Sequence, residues 1–314
     1  MVLLELLENL DLDLIYILED YTEIEDYLYS YHGYDNYICY DDDKKIGIEL
    51  EFDNVDLSNF LELLEYGVVN CSKYNGNDTN INASSDGSLS CYGVEFVTGA
   101  RNIKKTLNEL EDLLCYLEAE TNSETGMHIH FDKSDWFYDS EENICKFIAV
   151  CSMWQRCLFY ISHRHRDGWN SWSKQNYSYK SEAENSIDEL YIDNESHRVL
   201  VNLEHEETVE YRGFKSTMDY ELLESRVYFI AELINFTNNL TSTEAKKICY
   251  SKKYSNKKLT EFLNNFKVSD NNTKVINELL LIDPLTTIKK QSYLINIIEK
   301  EEYIRDIFRP VRSY

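Results

Sequence analysis

From residue 46 the chain alternates strictly: Ile46, Ile48, Leu50 and Phe52 are separated by Gly47, Glu49 and Glu51. Successive side chains of a strand point to opposite faces, so the pattern predicts a strand over 46–53 with one apolar and one polar face. The same two-residue period returns three times. Tyr92, Val94 and Phe96 alternate with Gly93 and Glu95 in a predicted strand over 91–98. Met127, Ile129 and Phe131 alternate with Gly126, His128, His130 and Asp132 over 126–132. Val209 and Tyr211 alternate with Thr208, Glu210 and Arg212 over 207–214, which with 198–203 reads as a hairpin.

Elsewhere the apolar spacing is helical. Residues 1–30 set Leu, Ile and Tyr among acids at three- and four-residue steps, which predicts one or two acidic amphipathic helices. Helices are also expected over 57–66, 101–120, 141–162, 219–242 and through much of 244–314. The Asn-, Ser-, Asp- and Gly-rich stretch 70–90 predicts loop, ending in the turn Asp86-Gly87-Ser88. Residues 163–197 are irregular. Strands and helices without βαβ regularity imply an α+β fold with a mainly antiparallel sheet. Three segments are expected: an acidic helical extension over 1–44, a catalytic domain over 45–243 and a basic helical region over 244–314.

What the polar faces carry changes the picture. An ordinary exposed face mixes Thr, Lys, Ser and Glu. These faces hold Glu49-x-Glu51, Glu95, His128-x-His130 and Glu210-x-Arg212. Each fragment alone has a plain reading. A Glu-x-Glu pair can be a solvated face, a His-x-His pair can hold zinc, and Glu210 with Arg212 can be a cross-strand ion pair. Taken together, in one sheet, they would bring at least four carboxylates to one place. Crowded carboxylates repel and take up protons, a conflict that divalent cations remove. Carboxylate oxygens with an imidazole suit magnesium or manganese better than zinc. Gly47, Gly93 and Gly126 each precede an ionisable group by two residues, an offset that would clear room for something bulky such as a nucleotide.

Composition narrows the classes. The 314 residues are 43% hydrophobic and 13% aromatic, enough to bury a sizeable core. The formal net charge of −26 repels nucleic-acid backbones. Residues 1–43 carry thirteen acids and no Lys or Arg, whereas 244–314 carry fourteen Lys or Arg against nine acids. The two ends could attract one another or be ordinary solvated helix faces. Eight cysteines include no C-x-x-C pair, so no zinc site is implied by them. There is no basic n-region of a signal peptide and no apolar run of membrane-spanning length. A reduced, cytoplasmic protein without a membrane partner is expected. No Walker A loop, G-x-G-x-x-G fingerprint or G-x-S-x-G elbow occurs.

The ordered set GIELEF, DGSL with GVEFVTG, GMHIHFD, then R-x3-N and TVEYRGF-x-ST resembles the amidoligase family. That family is related to glutamine synthetase and γ-glutamylcysteine synthetase, the carboxylate–amine ligases. The resemblance covers about residues 45–240, and GMHIH and VEYR carry most of it. It implies a glutamine-synthetase-like sheet, with one face covered by helices and the other forming the active site. It also implies ATP and Mg2+ (or Mn2+) as cofactors, and a carboxylate and an amine as substrates.

Position by position, Glu49, Glu51, Glu95, His128 and Glu210 match metal ligands of the family. Glu49, Glu51 and Arg212 are the expected catalytic residues, Arg212 facing the transferred phosphate. His130 lies toward the nucleotide, and Arg198 and Asn202 resemble the family's Arg and Asn just before the last strand. Arg164, Arg166 and Lys174 are further candidates for binding ATP or substrate, although HRHRDGWNSWSK aligns with no clear family pattern and reads equally as a basic surface loop. The implied reaction is amide formation through an acyl phosphate. A ligase-like scaffold that only binds, and a metal-dependent hydrolase using the same carboxylates, are the alternatives. The superfamily includes large rings and members that form none, so the oligomeric state stays open.

Overall fold

The computed structural model describes residues 44–71, 81–86, 89–90, 92–122, 125–154, 158 and 200–268. Among these are eight strands and seven helices. In chain order they are β1 (Lys45–Phe52), α1 (Leu57–Glu65), β2 (Asn70–Cys71), β3 (Ile81–Ser84), β4 (Val94–Thr98), β5 (Arg101–Asn102), α2 (Ile103–Tyr116) and β6 (Gly126–Asp132). Then follow α3 (Lys133–Phe137), α4 (Glu141–Met153), β7 (Val201–Asn202), β8 (Thr208–Lys215), α5 (Tyr220–Asn238), α6 (Ser242–Tyr250) and α7 (Lys252–Val268). The protein is mixed α/β with a mainly antiparallel, open sheet. The acidic segment 1–43 and the chain beyond 268 lie outside the described residues.

The described residues fall into two compact units: one runs to Ile129 and includes Lys215–Tyr220, and the other holds the described residues of His130–Phe214 and those from Glu221 to Val268. In the first, the strand order is β2-β3-β4-β1-β6, with β5 beside β1. β1 and β4 pair antiparallel, Glu49 opposite Val97 and Glu51 opposite Glu95. β5 then continues along β1 with Arg101 opposite Ile46, a register displaced by one residue. That slip is a bulge. At the slip the Ile48 amide donates to Thr98 Oγ1 at 2.8 Å, so a hydroxyl replaces the missing ladder carbonyl.

The apolar face of β1 is wholly buried: Ile46, Ile48, Leu50 and Phe52 are all at or below 1% exposure. Across the ladder Phe52 lies opposite Val94 and its ring 6.1 Å from that of Phe96, and Leu107, Leu110 and Leu113 of α2 are buried as well. Burying each such leucine contributes about 2 kcal/mol, and Leu110→Ala would cost roughly 2–5 kcal/mol with its cavity. α2 starts at Asn102, whose side chain accepts from the Lys105 amide, and ends where Tyr116 O accepts from Asn59 Nδ2 at 2.7 Å. The same Asn59 takes the Glu118 amide at its oxygen, so one buried residue of α1 ties down the end of α2.

In the second unit the order is β6-β8-β7, and β7 pairs antiparallel with β8, Asn202 opposite Glu210. Its core gathers Phe131, Phe137, Phe147, Trp154, Val209, Phe214 and Val227. Trp154 stacks on Phe262 of α7 and donates its indole N–H to Ser255 Oγ at 3.1 Å. Lys146, buried on α4, donates to the Leu240 carbonyl at 2.9 Å and the Asn238 carbonyl at 3.3 Å, closing the C-terminal end of α5.

Three expectations are corrected. The 70–90 stretch contains β2 and β3, because pairing with β4 overrides the weak strand propensity of Asn and Ser. The predicted helix over 101–120 begins at Ile103 and stops at Tyr116. Gly93 does not clear room for a ligand. A Cβ there would meet Leu89 Cβ at 2.4 Å and Ser90 O at 3.1 Å, so the glycine lets the preceding turn fold back on β4.

Candidate functional site

Strand alternation sets out the first cluster. On β1 Glu49 and Glu51 share the face opposite the core, Glu95 faces Glu51 across the ladder, and His128 projects from the neighbouring β6. These groups are not in open solvent. Glu51 is 4% exposed, Glu95 8% and His128 3%. His128 Nδ1 lies 2.8 Å from Glu49 Oε2, and its Nε2 lies 3.7 Å from Glu51 Oε1. The imidazole therefore stands between the two carboxylates of Glu-x-Glu. Glu51 Oε2 also accepts the Gly126 amide at the start of β6.

Ser84 of β3, opposite Glu95 in register, donates its hydroxyl to Glu95 Oε2 at 2.9 Å. That bond favours the charged carboxylate but is outweighed. Burial, then the negative charges of Glu49, Glu51 and Asp86, hold the Glu95 carboxyl well above the ordinary carboxylate range. Donor atoms of Glu51, Glu95 and His128 lie within 4.8 Å of one another. Two carboxylates and an imidazole at that spacing fit a divalent cation, which would offset the burial and the like charges that raise the Glu95 carboxyl.

The second cluster is built on the β7–β8 hairpin and the end of β6. Glu210 is fully buried. Asn202 Nδ2 donates to its Oε2 at 2.7 Å, and Arg212 Nη1 donates to its Oε1. Asn202 Oδ1 accepts the Glu204 amide at 3.0 Å, so its side chain is engaged at both ends within the hairpin. His130 Nδ1 is 3.3 Å from Thr208 Oγ1, and its Nε2 is 3.9 Å from Glu210 Oε1. Gly213 is required beside Tyr211, since a Cβ there would meet the buried tyrosine's hydroxyl at 2.4 Å and its ring carbon Cζ at 2.5 Å.

The structure thus gathers Glu49, Glu51, Glu95 and His128 in one unit, and His130, Asn202, Glu210 and Arg212 in the other. Arg164, Arg166, Lys174 and Arg198 lie outside the described residues. Two participants were not anticipated. Ser84 sits in a stretch expected to be loop, and its hydroxyl becomes relevant only through the β3–β4 register. His205 occupies the hairpin turn, with Nε2 3.6 Å from Glu210 Oε2. The only available signal for it was its place three residues after Asn202, immediately before a strand rich in ionisable groups.

The family described as "Putative amidoligase enzyme" matches residues 65–234, more than half of the chain, and the protein belongs to that family. β1 lies outside the matched segment, yet its two glutamates adjoin Glu95 and His128, which lie within it. No curated protein matches the chain. Among the described residues, no helix is long and apolar enough to cross a membrane.

Proposed function

We propose that the protein is an ATP- and magnesium-dependent carboxylate–amine ligase built on a glutamine-synthetase-like sheet, working in the cytoplasm. The observation that carries this reading is the cross-strand pair Glu51 and Glu95, crowded together with His128 in a member of the amidoligase family. A buried carboxylate pair is costly without a cation. Glu51, Glu95 and His128 would hold a divalent cation, with Glu49 beside His128 and Glu210 as further cation ligands. Bound magnesium supplies charge neutralisation to the phosphates of ATP, which an acidic protein could not otherwise accept.

The chain's own residues supply the rest. Amide formation from a free acid is uphill in water, so the acid is first activated. The substrate carboxylate oxygen attacks the γ-phosphorus, the bond to ADP breaks, and an acyl phosphate results. The amine then attacks the acyl carbon, phosphate departs with its bonding pair, and the amine proton is lost. Arg212, held by Glu210, offers fixed positive charge to the phosphoryl oxygens in a planar fork. His130 and Asn202, with Arg164, Arg166, Lys174 and Arg198, are candidates for holding the nucleotide. Glu49 and Glu51 orient His128 and keep the cation in place.

A mass-spectrometric screen of acids and amines tests the reading, with ATP and magnesium present and Glu49→Ala as control. The expected result is a product whose mass is the sum of acid and amine less one water, formed with one ADP and absent in the variant. Condensation without ATP, or an equally active variant, contradicts it.

A further inference from the structure

His205 has no part in the proposed ligase reaction. It sits in the turn between β7 and β8, where Lys133 at the start of α3 pins the backbone: its Nζ donates to the His205 carbonyl at 2.7 Å and to the Glu206 carbonyl. The turn is therefore held, and it sets the His205 ring edge-on to His130, centroids 5.0 Å apart. The His205 and His130 Nε2 atoms approach the two oxygens of Glu210 to 3.6 and 3.9 Å. Donor atoms of all three residues lie within 4.8 Å of one another.

These separations exceed hydrogen-bond lengths. They match the spacing of donors that share one ion, because ligands at about 2.0–2.2 Å from a common metal stand roughly 3–4 Å apart. The second nitrogen of His130 supports the same arrangement. A proton on Nδ1, given to Thr208 Oγ1, leaves the Nε2 lone pair directed at Glu210, and ligating imidazoles commonly give their other N–H to such a partner. Asn202 and Arg212 each donate to one oxygen of Glu210, which fixes the carboxylate between the two imidazoles. His130 and Glu210 are each 1% exposed, whereas the His205 side chain is 40% exposed, so one side of the trio is open.

We infer that His130, His205 and Glu210 form a site for a nitrogen-preferring first-row cation such as zinc, with an open coordination position on the His205 side. The inference rests on the proposed function only in taking Glu210 as a cation ligand. Two imidazoles favour zinc or cobalt over magnesium, which demands oxygen donors.

The test uses the full-length protein, stripped of metal and titrated with Co2+ in a large excess of Mg2+ that keeps oxygen-rich sites filled. The expected result is one equivalent of Co2+ with visible absorption, displaced by Zn2+. His205→Ala, and His205→Gln which keeps the side chain's bulk, weaken Co2+ binding by about tenfold or more without moving the unfolding of the metal-free protein. Parent-like Co2+ affinity in both variants overturns the site, as does the absence of a Co2+ band in the parent. Because the readout is metal binding, a failure of ligase activity leaves this result standing, and MgATP turnover can succeed while this site fails.

Discussion

Glu51 of β1 and Glu95 of β4 stand directly opposite each other in the antiparallel ladder, both more than nine-tenths buried. Like charges across a strand pair destabilise a sheet, and burial compounds the cost. The pair makes physical sense if a proton or a cation separates the two.

The Glu95 proton gives this a pH dependence. Its folded carboxyl titrates above the ordinary range, first from burial and then from Glu49, Glu51 and Asp86. Between the unfolded and the raised folded titration points, the folded state therefore holds a proton that the unfolded chain has lost. Glu95's contribution to stability is present at low pH and falls as pH rises through and above the usual carboxylate value. A cation replaces that proton, so Mg2+ binding should release protons and tighten with pH. Calorimetry in buffers of different ionisation heat measures the release. Glu95→Gln should abolish it and leave the metal-free protein at least as stable as the parent at neutral pH.

Arg212 donates to Glu210 through Nη1 and is largely buried, with its side chain 15% exposed. Lysine keeps the charge but not the fork. Arg212→Lys should lower kcat by about tenfold or more, a loss of about 1.4 kcal/mol in transition-state stabilisation. A rate within about twofold of the parent would remove Arg212 from its assigned role.

α6 begins with a reciprocal cap. The Thr241 side chain accepts the Glu244 amide, and the Glu244 carboxylate accepts the Thr241 amide. These bonds lower the Glu244 carboxyl to about 2. Its stabilising contribution is present above the unfolded carboxylate value and is lost as pH falls toward the folded one. Thr241→Ala should cost about 1 kcal/mol at neutral pH, read from urea unfolding, with a smaller difference in acid.

The strands that carry chemistry were legible because alternation survives when one face is buried and the other is ionisable. β1, β6 and β8 lie where their patterns put them with their apolar sets buried, whereas β4 starts only at Val94 and leaves Tyr92 of its predicted apolar set 50% exposed. β3 was not legible. Ile81-Asn82-Ala83-Ser84 has little strand propensity of its own and becomes a strand by pairing with β4. α3 was missed because five residues carry no helical period; its start is marked only by Asp132, which caps the Ser134 and Asp135 amides. His205 shows the general limit. A single histidine in a turn has no periodicity, and its neighbours are set by the hairpin register and by Lys133.

The most direct test of the central claim is calorimetric titration of ATP into the metal-free full-length protein, with and without Mg2+, alongside Glu49→Ala and Glu51→Gln. The account predicts saturable ATP binding that requires Mg2+ in the parent and weakens by about tenfold or more in each folded variant. ATP binding indifferent to Mg2+, or equally tight in both variants, would contradict it.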